Sequence, residues 1–305
     1  MYIVKKYIKK IKNNYICIDF NYSTKNTIIV CGTGRSGTTW LGDVISSLTG
    51  CRIIFEPFVL DKNLNFAFVS SKNASIHDMY KNLSLYLPLE SKSNRYHEQL
   101  ECIVKGRVSS LWTDQEARIG VFSKRVIKGI RCNLLLGYIN VFWPEIPIVL
   151  LIRNPIDVIR SMLKMSAIDW SFGFDPYHIL SQKELVHDHL SPFKEQIMAI
   201  RGSIELLAHR WAIENYVALR LIQEKANVLV VQYEKLLTSD EEWKRIAEFL
   251  NPFGWRQEKF DKFVHRPSYT TRDDQSSTIC NLDDKYNFDE VQSIVYMYGL
   301  EKYIE

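Results

Sequence analysis

Apolar residues along the chain fall into short unbroken runs separated by longer stretches with helical spacing. The runs lie at 27–31, 52–55, 125–130, 148–152 and 228–232. The stretches at 38–48, 155–165, 204–224, 241–250 and 289–298 repeat apolar positions every three or four residues. A strand that faces water on one side alternates apolar and polar residues, whereas one covered on both sides is apolar throughout. The alternation of such runs with helices predicts an α/β fold, a doubly wound parallel sheet flanked by helices in a single domain. The domain is expected over 26–305, with 1–25 as a lead-in. Insertions at about 60–124 and 166–203 break the pattern; the second holds Gly173, Pro176, Pro192, His178, His187 and His189. Insertions of this kind usually sit above the carboxyl ends of strands, where ligands bind.

Between the run at 27–31 and the helical stretch at 38–48 stands Gly32-Thr33-Gly34-Arg35-Ser36-Gly37-Thr38-Thr39-Trp40. Strand, glycine-rich turn and helix start together make a P-loop-like phosphate cradle, in which backbone amides and the helix dipole point at an anion. A nucleotide P-loop carries Lys then Ser/Thr after its second conserved glycine. Here Thr38 and Thr39 follow Gly37, and the loop's cation is Arg35. A second anion site is expected where the run at 148–152 meets Arg153-Asn154-Pro155, with Ser161 in the helix beyond, because proline favours the first helical position. An arginine fork suits a terminal phosphate. The commoner state of such an arginine is pairing with a nearby carboxylate, and its place beside a lysine-free phosphate loop favours the anion site.

Composition removes several alternatives. With 305 residues and 46% hydrophobic content the chain can bury a large core, and a net charge of +4 gives no nucleic-acid coat. The cysteines at 17, 31, 51, 102, 132 and 280 are scattered without a C-x-x-C pair, so reduced thiols, no metal site and a cytoplasmic setting are expected. No apolar run approaches the ~20 residues that span a bilayer, and the N-terminus has no signal-peptide core. Lys5, Lys6, Lys9, Lys10 and Lys12 make the lead-in basic: a solvated segment with, at most, peripheral contact to acidic lipid.

The two anion sites, in this order, resemble those of the sulfotransferases that use 3′-phosphoadenosine 5′-phosphosulfate (PAPS). Arg35 to Leu41 is similar to the 5′-phosphosulfate loop of that family, and Arg153-Asn154-Pro155 with Ser161 to its 3′-phosphate site. Val231 to Leu237 is similar to its Tyr-Glu-Asp-Leu element, and Pro267 to Arg272 to a loop that closes over the cofactor. The resemblance runs from about residue 27 to 300. It implies that Arg35 holds the bridging oxygen and sulfonate, while Ser36, Gly37, Thr38 and Thr39 bind the 5′-phosphate. It further implies that Trp40 stacks on adenine, that Tyr233 touches the base, that Arg153 and Ser161 hold the 3′-phosphate, and that Arg272 belongs to the closing loop. By residue type alone Trp40 reads as a core aromatic facing the sheet.

Sulfuryl transfer is an in-line displacement, and fixed cations and amides at the leaving oxygen stabilise its transition state. No acidic residue ends the run at 148–152, where a Walker-type enzyme holds magnesium, so a metal-free reaction is expected. Small-molecule sulfotransferases usually place a histidine after Lys-Thr on a middle strand; the counterpart here is Lys128-Gly129-Ile130-Arg131, with Ile130 at the histidine position. Phe55-Glu56-Pro57 after the second strand is similar to the carbohydrate-acting branch and makes Glu56 the candidate general base. Lys128 and Arg131 are candidates to stabilise the sulfonate, and His77, His97, His178, His187 and His189 are fallback bases. The expected acceptor is a hydroxyl of a carbohydrate or glycolipid. The alternatives are a P-loop kinase or NTPase, or a nucleotide- or glycan-binding protein of the same fold without activity.

Overall fold

Runs of Ile, Val and Leu form the inner strands of a parallel sheet because helices cover both of its faces. The computed structural model describes residues 17–58, 85–89, 95–110, 112–117, 120–164, 176–223, 225–264 and 288–304. Its main sheet contains β2 (Thr27–Cys31), β3 (Arg52–Phe55), β5 (Arg125–Gly129), β6 (Ile148–Ile152) and β7 (Val228–Gln232). All pairings are parallel, in the order β3-β5-β2-β6-β7. From central β2 the chain runs out to β3 at one edge and returns to β5. It then crosses β2 to reach β6 and β7. That reversal opens a crevice at the carboxyl ends of the central strands, where α/β sheets bind ligands.

Alternate strand residues feed two cores. Ile29, Ile127, Leu150 and their neighbours pack beneath α2 (Arg95–Val104), α3 (Leu136–Phe142), α4 (Pro155–Lys164), α5 (Ser203–Leu221) and α8 (Asp289–Met297). Ile28, Val126, Leu151 and Val231 pack on the other face beneath α1 (Thr38–Thr49) and α7 (Asp240–Phe249). Between β7 and α7 lies α6 (Tyr233–Thr238), and shorter helical turns are unlabelled. Each fully buried Ile or Leu contributes about 1.5–3 kcal/mol relative to exposure.

Two short strands lie outside the expected pattern. β1 (Cys17–Asp19) pairs in parallel with β4 (Gly120–Phe122), with Ile18 opposite Val121. Asp19 is buried and accepts from Arg125 Nε at 2.7 Å and Nη2 at 3.1 Å; Arg52 Nη1 stands 3.9 Å away. Arg52 also donates to Asp114 Oδ1 at 2.6 Å. Arg52 and Arg125 begin β3 and β5, so this ionic cluster closes the amino end of the sheet. Residues from Cys17 onward within the 1–25 lead-in are therefore built into the fold. The lysines from Lys5 to Lys12 lie outside the described residues.

On α5, His209 is buried and shares a 3.0 Å hydrogen bond with Tyr298 Oη. Burial pushes its imidazolium down to about 4. A chain unfolded at intermediate pH binds the proton that the folded chain excludes, so stability rises with pH across the window from about 4 to the ordinary histidine value. Between pH 7 and pH 4 this single group should cost about 3 kcal/mol. Urea melts across that range should flatten in His209→Gln.

Candidate active site

The loop after β2 is shaped by close approach. A Cβ on Gly32 would lie 2.3 Å from the Leu151 carbonyl oxygen, so the loop backbone rests against β6. Gly37 has φ 93°, and a Cβ there would meet the Tyr233 ring at 2.6 Å. Both conditions demand glycine. Arg35 also takes a positive φ, 67°, an uncommon conformation for a residue with a side chain. Ser36 is buried, with its Oγ 2.6 Å from Thr33 Oγ1 and its amide donating to the Thr33 carbonyl at 3.2 Å. α1 then starts at Thr38 with no side chain capping it. Its first-turn amides lack intrahelical partners, an arrangement suited to receiving an anion. Thr38 is buried at that start and Thr39 is half-buried.

On the β6 side, Arg35 Nε donates to Ser161 Oγ at 2.8 Å, which ties the loop to α4. Arg153 Nη1 donates to the Arg35 carbonyl at 3.3 Å, and the guanidinium lies over the Tyr233 ring, 4.5 Å from its centre. Asp157 Oδ2 approaches Arg153 Nη2 to only 3.8 Å, and Arg153 Nε is buried without an acceptor among the described residues. The strand-to-helix turn that carries Arg153 is itself fixed. Trp211 Nε1 donates to the Arg153 carbonyl at 3.1 Å, the Asn154 amide donates to Glu234 Oε1 at 2.9 Å, and Asn154 Oδ1 accepts from the Ile156 amide at 2.9 Å.

On the β3 and β5 side, Glu56 is buried with φ 46°, a strained conformation for a residue with a side chain. Its Oε1 accepts from Lys128 Nζ; its Oε2 accepts from the Ile130 amide at 3.0 Å and from Arg131 Nη1 at 3.1 Å. Lys128 Nζ also lies 4.6 Å from the centre of the Phe55 ring, and its stem touches the site of a Gly42 Cβ in α1. A carboxylate thus holds two cations at the ends of the strands beside the loop. Each of the five strands in the main sheet contributes: Glu56 after β3, Lys128 on β5, the loop after β2, Arg153 after β6 and Tyr233 after β7.

Trp40 packs edge-on to Tyr233 and Trp243, with ring centres 5.8 and 5.6 Å away, and donates from Nε1 to the Val264 carbonyl at 3.1 Å. It is half-buried on the core beneath α1, as its residue type alone suggests. His97 stacks on Trp143 and bonds Tyr138 Oη, His187 bonds Asp188, and His189 packs against Tyr86. His178 lies on the helix Pro176–Ser181. Arg272 and His77 fall outside the described residues. Sequence reasoning missed the engagement of Arg131 with Glu56, the contact of Arg35 with Ser161, and the supporting Trp211 and Glu234. Only Glu234 carried a signal, in its place after Tyr233.

A lysine-free phosphate loop at the centre of a five-stranded parallel sheet, with arginines on the loop and the neighbouring strand end, defines a P-loop-like group-transfer domain. The chain belongs to the sulfotransferase family, whose sequence pattern matches residues 27–253. No curated protein shows significant similarity to it. Among solved structures it is similar to the sulfotransferase domain from the curacin biosynthetic pathway, at 12% identity and a TM-score of 0.41, over 89% of this chain and 96% of that one.

Proposed function

We propose that the chain moves a sulfuryl group from PAPS to a hydroxyl of a carbohydrate or glycolipid. The observation that carries this reading is Arg153, stacked on Tyr233 against the loop with a buried Nε that has no acceptor among the described residues. Such a donor beside a phosphate loop suits a nucleotide with two separate anionic groups. PAPS, when bound, supplies the transferable sulfuryl group and a 3′-phosphate.

The chain's own residues have distinct tasks. The amides at the start of α1 and the Arg35 guanidinium balance negative charge on the leaving oxygen. Arg153, with Ser161 beside it, holds the 3′-phosphate, and Tyr233 supports the base side of the pocket. Glu56 takes the proton of the acceptor hydroxyl. As that proton arrives, the carboxylate loses its charge and its hold on Lys128 and Arg131, which then face the sulfonate oxygens of the transferred group. Proton acceptance and charge stabilisation are coupled through one ion cluster. The carbohydrate assignment rests on Phe55-Glu56-Pro57 and on Ile130 standing where small-molecule enzymes carry histidine.

Calorimetry with 3′,5′-bisphosphoadenosine should give tight binding without magnesium, and labelled sulfate should pass from PAPS to members of a glycan panel. Tighter binding of ATP that requires magnesium would reject the reading in favour of an NTPase.

A further inference from the structure

The peptide bond between Arg153 and Asn154 is gripped at both ends. Trp211 Nε1 donates to its carbonyl oxygen at 3.1 Å, and its amide donates to Glu234 Oε1 at 2.9 Å. A peptide unit is planar, so holding both ends fixes the direction in which the Arg153 side chain leaves the strand end. A tilt of that plane swings a guanidinium at the end of a long side chain, and a productive site tolerates about 0.5 Å of such displacement. Residues 300–304 reach two members of this frame, Trp211 and Asn154. The buried Tyr303 ring meets Trp211 edge-on with ring centres 6.5 Å apart, and the Ile304 carbonyl accepts from Asn154 Nδ2. Asn154 Oδ1 accepts from the Ile156 amide, so one side chain joins the start of α4 to the 300–304 turn.

That turn is itself anchored. The Tyr303 and Ile304 amides donate to the Leu300 and Glu301 carbonyls at 3.1 and 2.9 Å, and Leu300 is buried. α8, which precedes the turn, sends Val291, Ile294 and Val295 into the core shared with α5. Phe288, just before α8, lies under the Arg160 guanidinium of α4, 4.8 Å from its ring centre. The family pattern ends at residue 253, so this whole unit stands outside the region of similarity. We propose that the 300–304 turn is a positioning element of the nucleotide site, which through Trp211 and Asn154 holds Arg153 in the orientation that receives a 3′-phosphate. The inference rests on the 3′-phosphate role of Arg153 given above. Preference for a 3′-phosphorylated adenosine nucleotide over a plain one then depends on residues that make no contact with the nucleotide. Coupling of this kind is reciprocal, so a bound 3′-phosphate steadies the turn as the turn steadies Arg153.

Asn154→Ser keeps an oxygen for the Ile156 amide and loses the donor to Ile304, while Tyr303→Ala removes the ring that meets Trp211. Calorimetry on the full chain should show each variant binding 3′,5′-bisphosphoadenosine about tenfold more weakly and 5′-AMP less than about twofold more weakly. Tyr303→Phe, which keeps the ring, should bind both nucleotides as the unaltered chain does. A further measurement needs no variant to fold: saturating bisphosphate should slow hydrogen exchange over residues 300–304 of the unaltered chain more than saturating 5′-AMP does. Equal weakening of the two nucleotides, weakening of neither, or equal protection of the turn by both would overturn the proposal. So would Tyr303→Phe behaving like Tyr303→Ala. Equal affinity of the unaltered chain for the two nucleotides would instead reject the 3′-phosphate role of Arg153, and the positioning role with it.

Discussion

Arg153→Ala should weaken 3′,5′-bisphosphoadenosine by about a hundredfold, or about 3 kcal/mol, the size of a lost charge-assisted contact in a sheltered site. Binding of 5′-AMP, which lacks the 3′-phosphate, should change by roughly threefold or less. The contrast matters because Arg153 also donates to the Arg35 carbonyl and stacks on Tyr233. Damage to the loop alone would weaken both nucleotides alike, and calorimetry on the pair separates the two causes. Equal losses would remove Arg153 from the 3′-phosphate. Arg153→Lys should fall between, since an ammonium keeps the charge and loses the planar fork.

Glu56→Gln should lower kcat by about 10²–10³, in the range a positioned general base supplies, while the bisphosphate Kd stays within about threefold. Its melting temperature should also fall, because Lys128 and Arg131 keep their charges and lose their counter-ion. Breaking a buried pair from one side costs about 3–5 kcal/mol. Glutamine preserves an acceptor for the Ile130 amide, so the backbone turn survives. Because the cluster acts as a unit, Glu56→Gln with Lys128→Met should lose little more activity than the worse single variant. Additive losses would mean that Glu56 and Lys128 act independently, and undiminished turnover in Glu56→Gln would remove it as base.

The main sheet was legible because both-face burial writes itself as unbroken apolar runs. Four of the five strands match their runs residue for residue, and the fifth ends at Gly129, where the place of a Cβ is filled by the Phe58 ring at 2.7 Å. β1 and β4 were illegible: three residues are too few to show a period, and their outward faces are apolar while Asp19 points in. The loop and Arg153 were readable from position, since glycine turns and strand-to-helix junctions fall at the ligand edge. What those residues touch was not readable. Arg131 reaches Glu56 across 75 positions of sequence, and Arg35 reaches Ser161 across 126. Such pairings depend on strand order, which the periodicity of an individual strand does not encode.

Asp19 has a consequence for where this protein can be cut. The family pattern begins at residue 27, yet Asp19 is the carboxylate that Arg125 bonds among the described residues. A fragment trimmed to the region of similarity would bury a guanidinium against Thr27 without its counter-charge. The smallest self-sufficient piece of this chain is set by electroneutrality at the base of the sheet, several residues upstream of where kinship becomes detectable.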